Sequence, residues 1–223
     1  MLAQKSLLIF TLVAVVGCTA AAFAREPAAD QIKRGTSDPY RGDLAIFEGA
    51  DRAENLKIDR VMDVLGIKTG ASVADIGAGS GWFTVRSARR VGKTGTVYAV
   101  EINPQYVRHI KNRARKEKLA NVRTILGKTD DPLLPPQSVD AVMLLKTYHE
   151  VEEPIRLMRR IREALRPGGL VGIVDKAGIG TDHGLDAQVV IKEAAQAGFK
   201  LVEQHDFVKS EGIDYFLVFR AEG

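Results

Sequence analysis

Residues 73–82 read Val-Ala-Asp-Ile-Gly-Ala-Gly-Ser-Gly-Trp, an apolar run halted by three alternate glycines. A short buried strand that breaks into such a loop and then enters a helical pattern strongly limits the fold. Glycines 77, 79 and 81 let the backbone take left-handed turns and pass close to a ligand with no Cβ in the way. The downstream chain repeats the strand–helix alternation. Strands are expected at Ser72–Ile76, Thr96–Val100, Asn121–Leu126, Val139–Leu145, Leu170–Asp175, Phe199–Val208 and Ile213–Arg220. Helices are expected at Asn55–Leu65, Phe83–Val91, from Pro104 onward, within Glu152–Leu165, and at Ala187–Ala197. Between the last two strands there is no helix. The pattern predicts an α/β fold: a Rossmann-like, doubly wound, mostly parallel seven-stranded sheet with an antiparallel edge strand, in a single domain.

In an open α/β sheet, ligands lie beyond the carboxyl ends of the strands. A dinucleotide fingerprint would need a sixth-place glycine, where this chain has Trp82, and no Gly-Lys-Ser/Thr follows to make a phosphate loop. Asp75, two residues before the first glycine, would repel a pyrophosphate and attract an ammonium or sulfonium. Glu101 closes the second strand, where a carboxylate can accept both hydroxyls of a ribose.

These features resemble the class I S-adenosylmethionine-dependent methyltransferases, and among them the ubiquinone/menaquinone-type C-methyltransferase branch. The matching pieces are VADIGAGSGWFT at 73–84, VYAVEINP at 97–104, LPPQSVDAVMLL at 134–145 and LRPGGLVGIVD at 165–175. The resemblance implies that Asp75, Gly77, Gly79 and Gly81 hold the methionine end of S-adenosylmethionine, Glu101 its ribose, and Ile102 its adenine. That family usually has Gly-Asp after the third strand, whereas this chain has Gly127-Lys128-Thr129-Asp130-Asp131. Asp130 is the expected substitute.

Methyl transfer is an in-line displacement, and a base is needed only where the acceptor must lose a proton. Lys146-Thr147-Tyr148-His149-Glu150 follows the fourth strand, with His149 a candidate base and Tyr148 a candidate wall of the acceptor pocket. Asp175-Lys176 and Asp182-His183 face the same rim. Asp140 and the turn Pro167-Gly168-Gly169 are read as structural, and His109 as solvated. Basic residues run along two helices (Arg108 to Lys118, Arg156 to Arg166), which suits solvated faces or anionic lipid headgroups. With aromatics at 6% and none interleaved to stack bases, nucleic acid is not expected.

Composition matters most at the N-terminus. Leu7–Gly17 is unbroken and apolar behind Lys5, which suits a secretory signal and is too short to span a bilayer alone. Cleavage at Ala22-Phe23-Ala24 would release a chain from Arg25. Val15-Val16-Gly17-Cys18 instead resembles a lipobox that would leave Cys18 lipidated after a 1–17 signal. An uncleaved anchor is the third alternative. As the one cysteine of 223 residues, Cys18 excludes a disulfide framework or Cys-based zinc site, and no metal is expected. The expected organisation is therefore signal 1–24, linker and loosely folded lead-in 25–50, and methyltransferase domain 51–223. The reading is an exported, periplasmic or envelope-associated methyltransferase acting on a small-molecule or lipid acceptor. Its alternatives are a non-catalytic nucleoside-binding module and, disfavoured by Asp75 and the glycine spacing, an NAD-dependent oxidoreductase.

Overall fold

The computed structural model describes residues 33–208, 212 and 214–222. The signal segment, both cleavage sites and Cys18 lie outside these residues. The chain enters through an irregular segment with a 3-10 turn at Leu44–Glu48, then α1 (Arg52–Asn55) and α2 (Ile58–Val64). The sheet follows: β1 (Ser72–Ile76), α3 (Trp82–Val91), β2 (Thr96–Glu101), α4 (Pro104–Lys116), β3 (Val122–Leu126) and β4 (Val139–Leu145). It closes with α5 (Pro154–Ala164), β5 (Leu165–Lys176), α6 (Ala187–Gln196), β6 (Phe199–His205) and β7 (Asp214–Ala221). The seven strands are ordered β3-β2-β1-β4-β5-β7-β6. β1 to β5 run parallel, and β7 is antiparallel to both β5 and β6. The antiparallel strand thus lies at the expected side, one place in from the edge.

Alternate residues of each buried strand feed two apolar layers. Ala74, Ile76, Val142, Leu144 and Ile173 pack with α5 and α6 through Ile155, Met158, Ile161 and Val190. Val73, Ala141, Met143 and Val174 pack with α2 and α3 through Val61, Met62, Phe83 and Val91. Helix starts follow local chemistry. Asn103 accepts the Gln105 amide at 2.9 Å with Pro104 next, and Asp186 does the same for Gln188 at 2.7 Å. Asp140 is structural as expected: it accepts the Ser72 amide at 2.7 Å and pairs with Arg166 at 2.9 Å.

Three local expectations are corrected. The helix expected over Asn55–Leu65 is two short helices, because Lys57 takes a left-handed backbone (φ 47°). Pro167-Gly168-Gly169 belong to β5: Leu165 pairs with Val139 and Leu170 with Ala141, so 166–169 bulge out, with Gly168 at φ 81°. The lead-in is not loose from Lys33 onward, because it is bonded across the strand ends. Arg34 donates to the carbonyls of Tyr148 (2.7 Å) and Val151 (2.8 Å), and Ser37 to that of Gly180 (3.3 Å). Among the described residues no helix is long and apolar enough to cross a membrane.

Candidate active site

The carboxyl ends of β1, β2, β4 and β5 open onto one cleft of about 830 Å³, at the point where the strand order reverses between β1 and β4. One end of it is built by the glycine loop. Gly77, Gly79 and Gly81 all take left-handed backbone, at φ 69°, 54° and 77°. A Cβ on Gly77 would collide with the Thr147 side chain of the neighbouring β4 loop. Gly77→Ala is therefore expected to destabilise the fold by roughly 2–4 kcal/mol, combining left-handed strain with overpacking. Denaturant melts check this. Adding Thr147→Ala should recover the clash and leave the strain.

Glu101 is buried at the end of β2, and its carboxylate is locked by backbone amides. Oε2 accepts from Gly79 at 2.9 Å, and Oε1 from Ile102 at 2.8 Å and Asn103 at 3.1 Å. One carboxylate thus ties the glycine loop to β2, and its remaining lone pairs can accept hydroxyls. Ile102 is half-exposed on the cleft wall, where it can cover a flat ring. Asp75 is buried at the floor and accepts from Thr84 Oγ1 at 2.6 Å. Burial pushes its pKa up to about 6, with Thr84 and Arg52 holding it back. Arg52 is itself largely desolvated, stacked 4.6 Å from the Trp82 ring. Trp82, the residue that breaks the dinucleotide pattern, is a buried part of the cleft wall.

Asp130 is corrected. Its carboxylate pairs with Arg156 at 2.9 Å and does not line the cleft, where Lys128 and Thr129 stand instead. Tyr148 is corrected too. It is fully buried in the layer beneath α5 and α6, with Arg34 5.3 Å from its ring centroid, and it is not on the cleft wall. Burial raises its pKa well above the usual phenol value.

His149 does face the cleft, and it is 4% exposed. Asp175, fully buried at the end of β5, meets Nδ1 at 2.9 Å and accepts the His149 backbone amide at 3.1 Å. With the Asp175 carboxylate as acceptor, Nδ1 donates in that bond, and Nε2, 3.9 Å from Glu150 Oε1, is left with its lone pair. Glu150 and His183 line the same corner. The rings of His149 and His183 meet edge-to-face at 5.9 Å. Lys146 and His183 both have left-handed backbones, at φ 56° and 57°, the kind of local strain that clusters at functional sites.

The lead-in supplies a cover that sequence reasoning missed. Glu48 accepts from Ser80 Oγ at 2.6 Å and pairs with Arg113, and Phe47 lies against Gly79. Arg52 donates to the Phe47 carbonyl at 2.6 Å. Tyr40, Ile46 and Phe47 thereby form one wall of the cleft.

Residues 73–169 match the family described as "Methyltransferase domain". The matched segment carries the glycine loop, Glu101 and His149. Among curated relatives, nocamycin O-methyltransferase of Saccharothrix syringae is 30% identical, covering 51% of this chain and 41% of its own. A ubiquinone/menaquinone biosynthesis C-methyltransferase of Hydrogenovibrio crunogenus is 26% identical over 69% of this chain and 62% of its own. The chain spans about half the length of the curated relatives it matches. A solved S-adenosylmethionine-dependent methyltransferase from Aquifex aeolicus superposes with TM-score 0.73, covering 80% of this chain and 98% of that one at 21% identity. The chain thus has the fold of the class I methyltransferases, and S-adenosylmethionine is the cofactor that fits it.

Proposed function

We propose that the protein transfers a methyl group from S-adenosylmethionine to a small or lipidic acceptor whose nucleophile is a hydroxyl or amine. The observation that carries this reading is the two-ended cleft. Asp75, the three glycines and Glu101 form one end, and the Asp175-held imidazole of His149 forms the other. When bound, the cofactor supplies an electrophilic methyl on a cationic sulfur. Asp75 offers that end of the ligand a buried negative charge, the glycine loop gives it backbone room, and Glu101 accepts its ribose hydroxyls. Tyr40, Phe47 and Trp82 line the cleft with aromatic surface, which favours keeping water from a bound sulfonium. At the other end, the Nε2 lone pair and Glu150 suit an acceptor that sheds a proton as it is methylated.

A bare nucleoside-binding module would have no use for a buried carboxylate–imidazole pair, so the catalytic reading is preferred to it. The apolar segment before Arg25 supports export to the periplasm or envelope, which would favour acceptors found there. Mass spectrometry of the mature N-terminus from fractionated cells checks this, and an intact cytosolic Met1 would contradict it.

The activity is tested by incubating the protein with methyl-labelled S-adenosylmethionine and a panel of phenols, hydroxyquinones, amines and lipids. Label entering one acceptor class is the expected result. Cofactor binding with no label transferred anywhere would favour the binding module.

A further inference from the structure

His149, Glu150 and His183 bring two imidazole nitrogens and a carboxylate oxygen within 4.8 Å of one another on the cleft wall. This is the donor set that first-row divalent metals favour, and with only three protein ligands it leaves positions open. Ligands about 2.1 Å from one ion lie about 3.0–3.4 Å apart, so small side-chain rotations would close this set.

The surroundings are also those of a ligating histidine. Asp175 holds Nδ1 at 2.9 Å, the carboxylate–histidine arrangement that orients the other nitrogen toward a metal. His149 is buried, and Glu150 Oε1 lies 3.9 Å from its Nε2, beyond hydrogen-bond reach. Asp175 is fully buried, and around it stand the amides of His149 and Lys176 and the imidazole N–H. A cation on Nε2 would balance that buried charge.

The lead-in fixes the third ligand, because Ser37 Oγ accepts the His183 amide at 2.9 Å. Lys176 also lines this part of the cleft, so the corner is not uniformly acidic. Its cationic side chain is outweighed by Glu150 and Asp175 together, with Glu101 also within electrostatic reach of Glu150.

We infer that His149, Glu150 and His183 bind one divalent transition-metal ion at the acceptor end of the cleft. The inference deepens the methyl-transfer reading and rests on it for the chemistry, with His149 Nε2 serving as a ligand in place of a proton acceptor, while the binding stands independently. The ion takes the acceptor oxygen in an open position and lowers its pKa, so that the O–H proton leaves to water. The oxygen lone pair then forms the new C–O bond, and the electron pair of the broken C–S bond stays on sulfur. No oxidant or reductant is involved.

Untagged full-length protein, stripped with chelator, is titrated calorimetrically with Zn²⁺, Mn²⁺ and Co²⁺. Visible absorption of the Co²⁺ form reports the ligands. One equivalent bound at micromolar Kd or tighter is expected, weakened about a hundredfold or more by His149→Ala and by His183→Ala. His183 is exposed, so its variant tests the site even if removing the buried His149 harms folding. No saturable binding, or equal affinity in the wild type and His183→Ala, overturns the inference. Undiminished methyl transfer in excess chelator overturns the ion's part in the chemistry and leaves the methyltransferase reading standing. Metal binding without any S-adenosylmethionine binding would instead sink that reading and keep the site.

Discussion

Asp75→Asn is expected to remove measurable S-adenosylmethionine binding while raising the melting temperature of the ligand-free protein by a few degrees. The two effects share one cause. Asp75 is buried, and its pKa stands at about 6 against an ordinary value of 3.8. The folded state therefore binds this proton more tightly than the unfolded chain. Ionised Asp75 costs stability at neutral pH, a cost that shrinks as pH falls from about 6 toward 4. A shift of about two units is on the order of 3 kcal/mol at neutral pH. Asparagine keeps an oxygen for the Thr84 hydroxyl and removes the penalty, apart from what Arg52 loses with its partner.

The ligand reverses the balance, because a cationic ligand binds the ionised form. In the wild type, affinity should therefore fall about tenfold per pH unit below about 6. The Asn variant should show neither tight binding nor that pH dependence. Thermal melts and calorimetry across pH 5–8 read both effects. A variant that binds like wild type, or melts well below it, would show that Asp75 is a structural carboxylate.

The second large effect is on turnover. His149→Ala should lower kcat by about 10² to 10⁴-fold while leaving cofactor affinity within about twofold, since the ring lies at the acceptor end. Asp175→Asn should come close to it. Asparagine can present an N–H to Nδ1 in place of an acceptor, which disfavours the ring orientation that turns Nε2 to the cleft. Tyr148→Phe should leave kcat nearly unchanged, because that ring is packed beneath α5 and α6. Equal losses in Tyr148→Phe and His149→Ala would mean that this loop acts through packing alone.

The contrast between Tyr148 and His149 shows where sequence ran out. Both follow β4, and periodicity stops at Leu145, after which Lys146 turns left-handed and a 3-10 turn begins. Which neighbour faces inward is then set by Asp175 from β5 and Arg34 from the lead-in, contacts 26 and 114 residues distant in the chain. Asp130 failed similarly: Arg156, from α5, draws it off the cleft.

The sheet and the glycine loop were legible because their causes are local. Apolar runs end at glycines, and left-handed backbone at 77, 79 and 81 demands them. Glu101 was legible from its place at a strand end. The cover over the cleft was not, because Arg34, Ser37 and Glu48 act through polar bonds to distant residues and leave no periodic signal. His183 was noted on the rim, but only the fold brings it to Glu150 and His149.

The central claim is that the glycine loop and Glu101 hold S-adenosylmethionine. Titration calorimetry of the cofactor into wild type and into Glu101→Ala tests it most directly. The structure predicts one-to-one micromolar binding in the wild type and a loss of about a hundredfold or more in the variant, with NAD silent in both. No binding to the wild type, or equal affinity in the two proteins, would contradict it.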